Sequence, residues 1–480
     1  MTKFYLTTTL PYVNAAPHIG HALEFFQADA IVRFKRKQLG AENVFFNVGM
    51  DEHGLKIYQK AQAENKSPQE YADGNAQNWK EFCKIFNISY DNFYRTTDPA
   101  HYKAAQEFWK ACDAAGDIYK KKYEGLYCVG CEEFKTEKDL VDGKCPLHNT
   151  EPIQYSEENY FFKLSKYREE LLENYEENKD KLKPDFKYEE LINFIKNMED
   201  ISISRLKKNL PWGIPVPGDE EQVMYVWFDA LTNYVNAVGY STDEARFNEW
   251  WPNALQIFGP DNLRFQCAIW QGMLLSARLP LTSKFLCHGT ILGPDGRKMS
   301  KTIGNVISPL EQLEKFGYEA VRFYMLSELP TFGDSSYLET DLKASFNSKL
   351  ADNFGNLLNR VIHLSNKKNV EIDNEIFVEP SFKKAVDERK AKAEDLFSNY
   401  EIKLASDEIF QLAEFGNKYI QDNAPWSEKD EEKVKLVLNN LGYLLDAVIG
   451  LYEPIIPDSC KKAKDALDNK QTIILFEKYD

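Results

Sequence analysis

Three clusters in the 480-residue sequence carry side chains that can hold a metal or polarise an anion. Cys128-Val129-Gly130-Cys131 and Cys145-Pro146-Leu147-His148 form a C-x2-C and C-x2-H pair separated by 13 residues. That spacing suits one tetrahedral Zn2+ knuckle in which Cys128, Cys131, Cys145 and His148 fill every position, so the ion would be structural. Buried, unligated thiols are the alternative. Pro17-His18-Ile19-Gly20-His21 places two histidines three apart at a loop-to-helix junction, where backbone donors and the helix dipole favour phosphate and Gly20 lets a ligand come close. A pair of surface or capping histidines would read the same way. Arg297-Lys298-Met299-Ser300-Lys301-Thr302 follows Gly293-Pro294-Asp295-Gly296, so Lys298 and Lys301 could reach a triphosphate from a mobile loop, or simply form a basic solvated turn.

The elements around these clusters follow from periodicity. Residues 3–10 are rich in Thr, Tyr and Leu, as a strand would be, and helical spacing follows through Phe25, Ala28, Ile31, Val32 and Phe34. The apolar run Asn43 to Gly49 completes a βαβ unit, which predicts a parallel, buried sheet with ligands outside the carboxyl ends of its strands. Helical periodicity continues to about residue 115. The Cys-rich stretch and a charged segment come next, and Pro211-Trp212-Gly213-Ile214-Pro215-Val216-Pro217-Gly218 marks the return from an insertion. Val223 to Phe228 and Leu255 to Gly259 read as further strands, and beyond residue 340 apolar residues recur at helical spacing, as in Phe354, Leu357, Leu358, Val361 and Ile362. The expectation is an α/β protein: a Rossmann-like parallel-sheet catalytic domain split by a zinc-knuckle insertion, followed by an all-α C-terminal domain. Its divisions are 1–114 and 223–292 for the halves of the catalytic domain, 115–222 for the insertion, 293–345 for the segment that carries the lysine loop, and 346–480 for the helical domain.

Composition excludes several classes. With 43% hydrophobic and 28% charged residues the chain is neither collagen-like nor disordered. A formal charge of −16 means that nucleic acid would have to bind a local basic face rather than a long-range field. Eight cysteines are too few for a disulfide scaffold and favour a reducing compartment. The N-terminus lacks the apolar stretch of a secretory signal, and no run of about 18 apolar residues occurs, so the protein reads as cytoplasmic with no membrane partner.

Taken in order, the histidine and lysine clusters resemble the HIGH and KMSKS signatures of class I aminoacyl-tRNA synthetases. Thr9-Leu10-Pro11-Tyr12-Val13-Asn14, Asp51-Glu52-His53-Gly54, the Pro/Gly cluster at 211–218, Tyr225-Val226-Trp227-Phe228-Asp229-Ala230 and Ala424-Pro425-Trp426 are similar to the methionyl-tRNA synthetase family over nearly the whole chain. The resemblance implies activation of methionine by ATP, with Mg2+ accompanying the nucleotide, and transfer of the methionyl group to the 3′ end of tRNA(Met). It implies that His18, Gly20, His21, Asp261, Lys298 and Lys301 bind ATP, with His18, His21, Lys298 and Lys301 catalytic. It implies that Leu10, Tyr12, Trp227, Ala230, Tyr234, Gln266 and Trp270 line the methionine pocket and that Asp51 receives the substrate ammonium. Asn356, Arg360 and Trp426 would read the anticodon. Three positions depart from the family pattern: Gln266 stands where many members carry histidine, Leu231 where proline is frequent, and Thr302 where serine closes the lysine loop. The chain also lacks the appended tRNA-binding and dimerising module of longer relatives, which implies a monomer.

Overall fold

The computed structural model describes residues 3–12, 17–128, 133–147, 149–299, 304–372 and 378–480. Six strands, β1 (Phe4–Thr8), β2 (Val44–Met50), β3 (Asn92–Arg95), β4 (Leu182–Lys183), β5 (Ala254–Phe258) and β6 (Lys284–Cys287), form one parallel sheet. Their order is β3-β2-β1-β5-β6-β4. Every residue of β1 and of β5 is buried, as both faces of a central parallel strand must be. Leu6 sits between Phe46 of β2 and Leu255 of β5, so the centre of the sheet is apolar in register. The chain leaves β1 toward β2 and β3 on one side and returns on the other through β5 and β6. That reversal between β1 and β5 is the switch point at which such sheets open a crevice at their carboxyl ends.

The described residues divide into two compact units. The first, comprising residues 1–16, 43–82 and 90–287, contains the whole six-stranded sheet and the insertion. Within the insertion, Ile118–Cys128 pairs antiparallel with Ile153–Phe162 from Ile118↔Phe162 to Tyr127↔Ile153, a ribbon that carries Cys128 at its far end. The insertion also returns to the sheet, because β4 is its edge strand and Leu171, Tyr175, Leu191 and Ile195 join the core around Trp251 and Trp270. One local expectation changes. Tyr225 to Phe228 does not continue a strand; Asp219–Met224 is the strand and Val226–Leu231 a short helix. Val226, Phe228, Asp229, Ala230 and Leu231 are all buried, so this helix has no polar face and its sequence cannot display a helical period.

The second unit, comprising residues 17–42, 83–89 and 288–480, contains helix α1 (Ile19–Leu39) and the C-terminal helices. Glu431–Tyr452 is long and apolar enough to cross a bilayer by length and composition, but 67% of its apolar window is buried as a core helix of the bundle. A buried ion cluster joins α1 to this unit. Arg322 and Asp29 are both fully buried and meet at 2.6 Å, while Arg322 also donates through Nε to the Ile455 carbonyl at 2.7 Å and through Nη2 to the Pro454 carbonyl at 2.7 Å. Asp29 accepts further bonds from Arg33 Nε at 2.7 Å and the Ser89 amide at 2.7 Å. Burial works to raise the Asp29 pKa, and the guanidinium groups of Arg322 and Arg33 hold it below its ordinary value. Asp29→Ala leaves Arg322 buried without its counter-charge and is expected to destabilise this unit by about 3–5 kcal/mol, read by urea denaturation of the variant against the parent.

Candidate active site

The residues assigned to the amino-acid pocket follow the carboxyl ends of neighbouring strands. Leu10 and Tyr12 lie just after β1, Asp51 directly after β2, and Asp261, Gln266 and Trp270 after β5. The first two segments are joined: the Asp51 amide donates to the Pro11 carbonyl at 3.0 Å, and Tyr12 forms a parallel bridge with Asp51. Leu10 can approach because residue 49 is glycine; a Cβ there would stand 2.2 Å from the Tyr94 carbonyl oxygen and 2.9 Å from Leu10 Cδ2. On the β5 side, Gln266 donates to Tyr234 Oη at 2.7 Å, and the rings of Tyr234 and Trp270 lie 5.9 Å apart. Gln266 occupies a π-helical turn, Phe265–Ile269, an irregularity that recurs at functional sites because it re-aims side chains. Trp227 packs edge-on to Phe265 at 4.1 Å, and Ala230 follows one turn later in the same helix. Trp270 is fully buried, Asp51, Ala230, Tyr234 and Gln266 nearly so, while Leu10, Tyr12 and Trp227 are half-buried.

A buried charge network fastens these walls. Asp229, fully buried in the helix Val226–Leu231, accepts from His53 Nδ1 at 2.6 Å and from His101 Nε2 at 2.7 Å. His53 Nε2 in turn meets Tyr102 Oη at 3.0 Å, and His101 Nδ1 lies 3.3 Å from Tyr94 Oη. Burial pushes the Asp229 pKa up, but the two imidazoles hold the carboxylate below its ordinary value. One carboxylate thus binds the helix bearing Trp227 and Ala230 to the segment that follows β2. The neighbouring residue is held as firmly: Glu52 pairs with Arg95 Nε at 2.8 Å, and its carbonyl accepts from Trp212 Nε1 at 2.6 Å. These contacts give structural roles to Glu52, His53, Trp212 and Asp229, residues of the quoted motifs to which the sequence attached no role. Their signal was present, since a lone carboxylate inside an apolar run must be paired if buried. His101 and Tyr102 carry no such signal.

In the second unit, His18 and His21 cap α1. His18 Nδ1 accepts from the Gly20 amide at 3.1 Å, and His21 Nδ1 accepts from the His18 amide at 3.2 Å, a reciprocal capping box built from two imidazoles. Their rings stack with centroids 3.8 Å apart. Backbone amides can only donate, so Nδ1 is the acceptor in each ring and the ring proton sits on Nε2. Gly20 serves this cap: a Cβ there would lie 3.0 Å from the His18 ring. Burial first, then His18 and His288, lower the His21 pKa to about 3. Two stacked imidazoles at a helix N-terminus therefore offer fixed N–H donors without a formal charge on His21, an arrangement suited to phosphate oxygens. Glu24, one turn further along, is buried against His288 Nε2 at 3.2 Å, a pair that sequence reading missed.

Lys298 is exposed at the end of a tight turn in which Gly293 donates to the Arg297 carbonyl at 2.8 Å and Asp295 holds Arg297 and Asn305. Lys301, Ser300 and Thr302 lie outside the described residues, as do Cys131 and His148. Cys128 and Cys145 are both buried, Cys145 within a turn where it accepts from the Asn149 amide at 2.7 Å. Among the described residues no group of three metal-binding side chains occurs, and only these two of the four expected ligands fall among them. Asp261 is exposed in the short turn Pro260–Asn262. In the helical bundle, Asn356 opens the helix Asn356–Lys368 and is exposed, and the Arg360 guanidinium stands 5.9 Å over the ring of Trp426, which is 40% exposed. Asn417 and Gln421 each accept from Arg360 at 3.3 Å and orient it.

Comparison with known proteins places these features. Residues 4–152 and 135–362 match the family described as tRNA synthetases class I (M), and residues 376–476 match the anticodon binding domain of methionyl tRNA ligase. The methionine–tRNA ligase of Thermotoga maritima is 38% identical over 477 residues, covering 96% of this chain and 74% of its own length. That of Nostoc is 39% identical over 470 residues, covering 95% and 88%. Among solved structures, the Mycobacterium tuberculosis methionyl-tRNA synthetase in complex with methionyl-adenylate superposes with a TM-score of 0.91 at 34% identity, covering 98% of this chain and 96% of that one. Its free form gives 0.85 at 31% identity, covering 99% and 94%.

The His21 pKa carries a signed expectation. A folded-state value of about 3, against an ordinary 6.5, means that stability from keeping this ring neutral is complete above pH 6.5 and is lost as the pH falls toward 3. Titration of the histidine ring protons by NMR is expected to show His21 neutral throughout pH 5–8; a midpoint near the ordinary value contradicts the capped geometry.

Proposed function

The chain belongs to the class I methionyl-tRNA synthetases, and from that premise we propose that it activates methionine with ATP and transfers the methionyl group to tRNA(Met). The reading rests above all on the crevice at the switch point, where Leu10, Tyr12, Asp51 and Gln266 follow three neighbouring strands. In the first step the methionine carboxylate attacks the α-phosphorus of ATP, forming methionyl-adenylate and releasing pyrophosphate. In the second, a ribose hydroxyl at the 3′ end of tRNA attacks the acyl carbon and AMP departs. Neither step needs a covalent enzyme intermediate, so the chain's work is positioning and charge stabilisation.

Asp51 takes the substrate ammonium, and the aromatic walls Tyr12, Trp227, Tyr234 and Trp270 enclose a polarizable thioether, with Leu10, Ala230 and Gln266 completing the pocket. The Nε2–H groups of His18 and His21 donate to ATP phosphate oxygens, with Gly20 at the same helix start. Lys298 and Lys301 neutralise the departing pyrophosphate, Asp261 binds the ribose, and Mg2+ accompanies the nucleotide and shields its phosphates. A structural Zn2+ held by Cys128, Cys131, Cys145 and His148 fits the donor chemistry, and burial of both described thiols supports it. Asn356, Arg360 and Trp426 receive splayed anticodon bases, which stack on the exposed indole and bond to the amide and guanidinium. The divisions 1–114, 115–222, 223–292, 293–345 and 346–480 assign activation, insertion, lysine loop and anticodon reading to successive segments. The reading carries with it a cytoplasmic, monomeric enzyme, and sedimentation of the full chain is the measurement that checks the monomer.

ATP–pyrophosphate exchange without tRNA, run with each of the twenty amino acids, is expected to proceed with methionine alone; exchange with another amino acid, or with none, overturns the reading. Two variants divide the labour. Lys301→Ala is expected to lower the exchange rate at least about a hundredfold with methionine affinity unchanged. Trp426→Ala is expected to weaken tRNA charging by about 1–3 kcal/mol of lost stacking while sparing exchange, as steady-state charging and exchange assays would show.

A further inference from the structure

Beneath the amino-acid pocket, four buried side chains form a single file that ends on a fifth. The Thr282 backbone amide donates to Gln271 Oε1 at 3.0 Å. An amide N–H can only donate, so this bond fixes which end of the Gln271 side chain is oxygen. Gln271 Nε2 accordingly donates to the Gln266 carbonyl at 2.9 Å and to Thr282 Oγ1 at 3.0 Å. Having accepted there, the Thr282 hydroxyl sends its own proton to Gln256 Oε1 at 2.7 Å. Gln256 Nε2 donates to Gln266 Oε1 at 2.9 Å, and Gln266 Nε2 donates to Tyr234 Oη at 2.7 Å. All five side chains are buried, none more than 3% exposed, so water does not scramble the order. Two backbone groups anchor the start of the file, and no amide in it can turn end for end without setting two donors or two acceptors face to face.

The consequence falls on Tyr234. Its oxygen accepts from Gln266, so its proton must point away from Gln266. We infer that Gln256, Gln271 and Thr282 are positioning residues that hold Tyr234 as a donor toward the substrate side chain, whose sole polar atom is the thioether sulfur, a weak acceptor. The inference rests on the methionine pocket proposed above. An imidazole at position 266 could present a donor or an acceptor according to its protonation, whereas the amide has one polarity, set by the file, at every pH. The discrimination that the file supplies is between a sulfur and a methylene at the same place, a difference of acceptor and not of size.

The test is pyrophosphate exchange by the full chain with methionine and with norleucine, which has a methylene in place of sulfur. Thr282→Val keeps the side-chain shape but removes the hydroxyl, and Gln256→Met interrupts the next link. Each is expected to raise the KM for methionine about tenfold, with kcat and the KM for ATP within about twofold and the KM for norleucine unchanged. Thr282→Ser, which restores the hydroxyl, is expected to restore the preference for methionine. Gln256→Glu supplies a second readout: a protonated carboxyl can accept from Thr282 and donate to Gln266, but an ionised one can only accept and reverses the file. The methionine KM of that variant is expected to rise with pH where the parent's is flat. If methionine and norleucine weaken together, or the preference survives in Thr282→Val and Gln256→Met, the side chains merely pack and the inference falls. Absence of methionine-dependent exchange in the parent protein instead overturns the functional reading on which it rests.

Discussion

A carboxylate without solvent is the constraint around which the sheet unit is assembled. Asp229 is fully buried and ionised, and it is tolerable there only because His53 and His101 both reach it. That requirement brings together the segment after β2, the helix Pro99–Ala114 and the helix Val226–Leu231, through bonds that span 176 and 128 residues of chain. An apolar trio could stabilise the same packing as well, but it would accept many registers, and a carboxylate between two imidazoles accepts very few. The half-buried Tyr12 and Trp227, walls of the proposed pocket, inherit their places from this fully buried arrangement. In the other unit the Asp29–Arg322 pair has the same character, with two backbone carbonyls accepting from Nε and Nη2 of the guanidinium.

Much of this organisation was legible in the residues. The doubly buried strands announced themselves, β1 as a stretch rich in Thr, Tyr and Leu and β5 as an apolar run, and so did the all-helical pattern beyond residue 340, because burial on two faces and burial on one stripe leave different periodicities. The site clusters were legible as motifs, since His18, His21 and Lys298 are chemically conspicuous in short spans. What could not be read follows from the same physics. The helix Val226–Leu231 is buried at every position but the half-buried Trp227, so it looks like a strand. Gln256 sits in a buried strand and Thr282 in a loop, and only the fold reveals that they meet. Gly20 was expected to admit a ligand, and it is the imidazole of His18 that its missing Cβ first accommodates.

The cap of α1 gives a folding role to the same two side chains that the proposed function uses for binding. A serine or aspartate would satisfy the helix amides equally well, but it would leave no second donor pointing outward. Imidazole has two nitrogens on opposite sides of one ring, so one can serve the helix while the other serves a ligand. The bond to the backbone also chooses the tautomer, and lowering the His21 pKa keeps that choice over the working pH range. The tautomer is therefore set by the fold, and under the proposed role no reorganisation of these donors would fall in the chemical step.

The π-helical turn at Phe265–Ile269 has a consequence for how this pocket can change over time. A π turn holds one residue more than the α turn it replaces, so it behaves as an insertion absorbed without a loop. Deleting that residue would give the helix a more regular backbone and at the same time rotate everything upstream of it by about a hundred degrees against everything downstream. Gln266 would then lose Tyr234 or Trp270 would leave the core, since both are aimed from the same short segment. The local energy of the backbone and the fitness of the pocket pull in opposite directions here. A substitution at position 266 changes one side chain and leaves this backbone in place, whereas a change in the length of the segment that carries it does not.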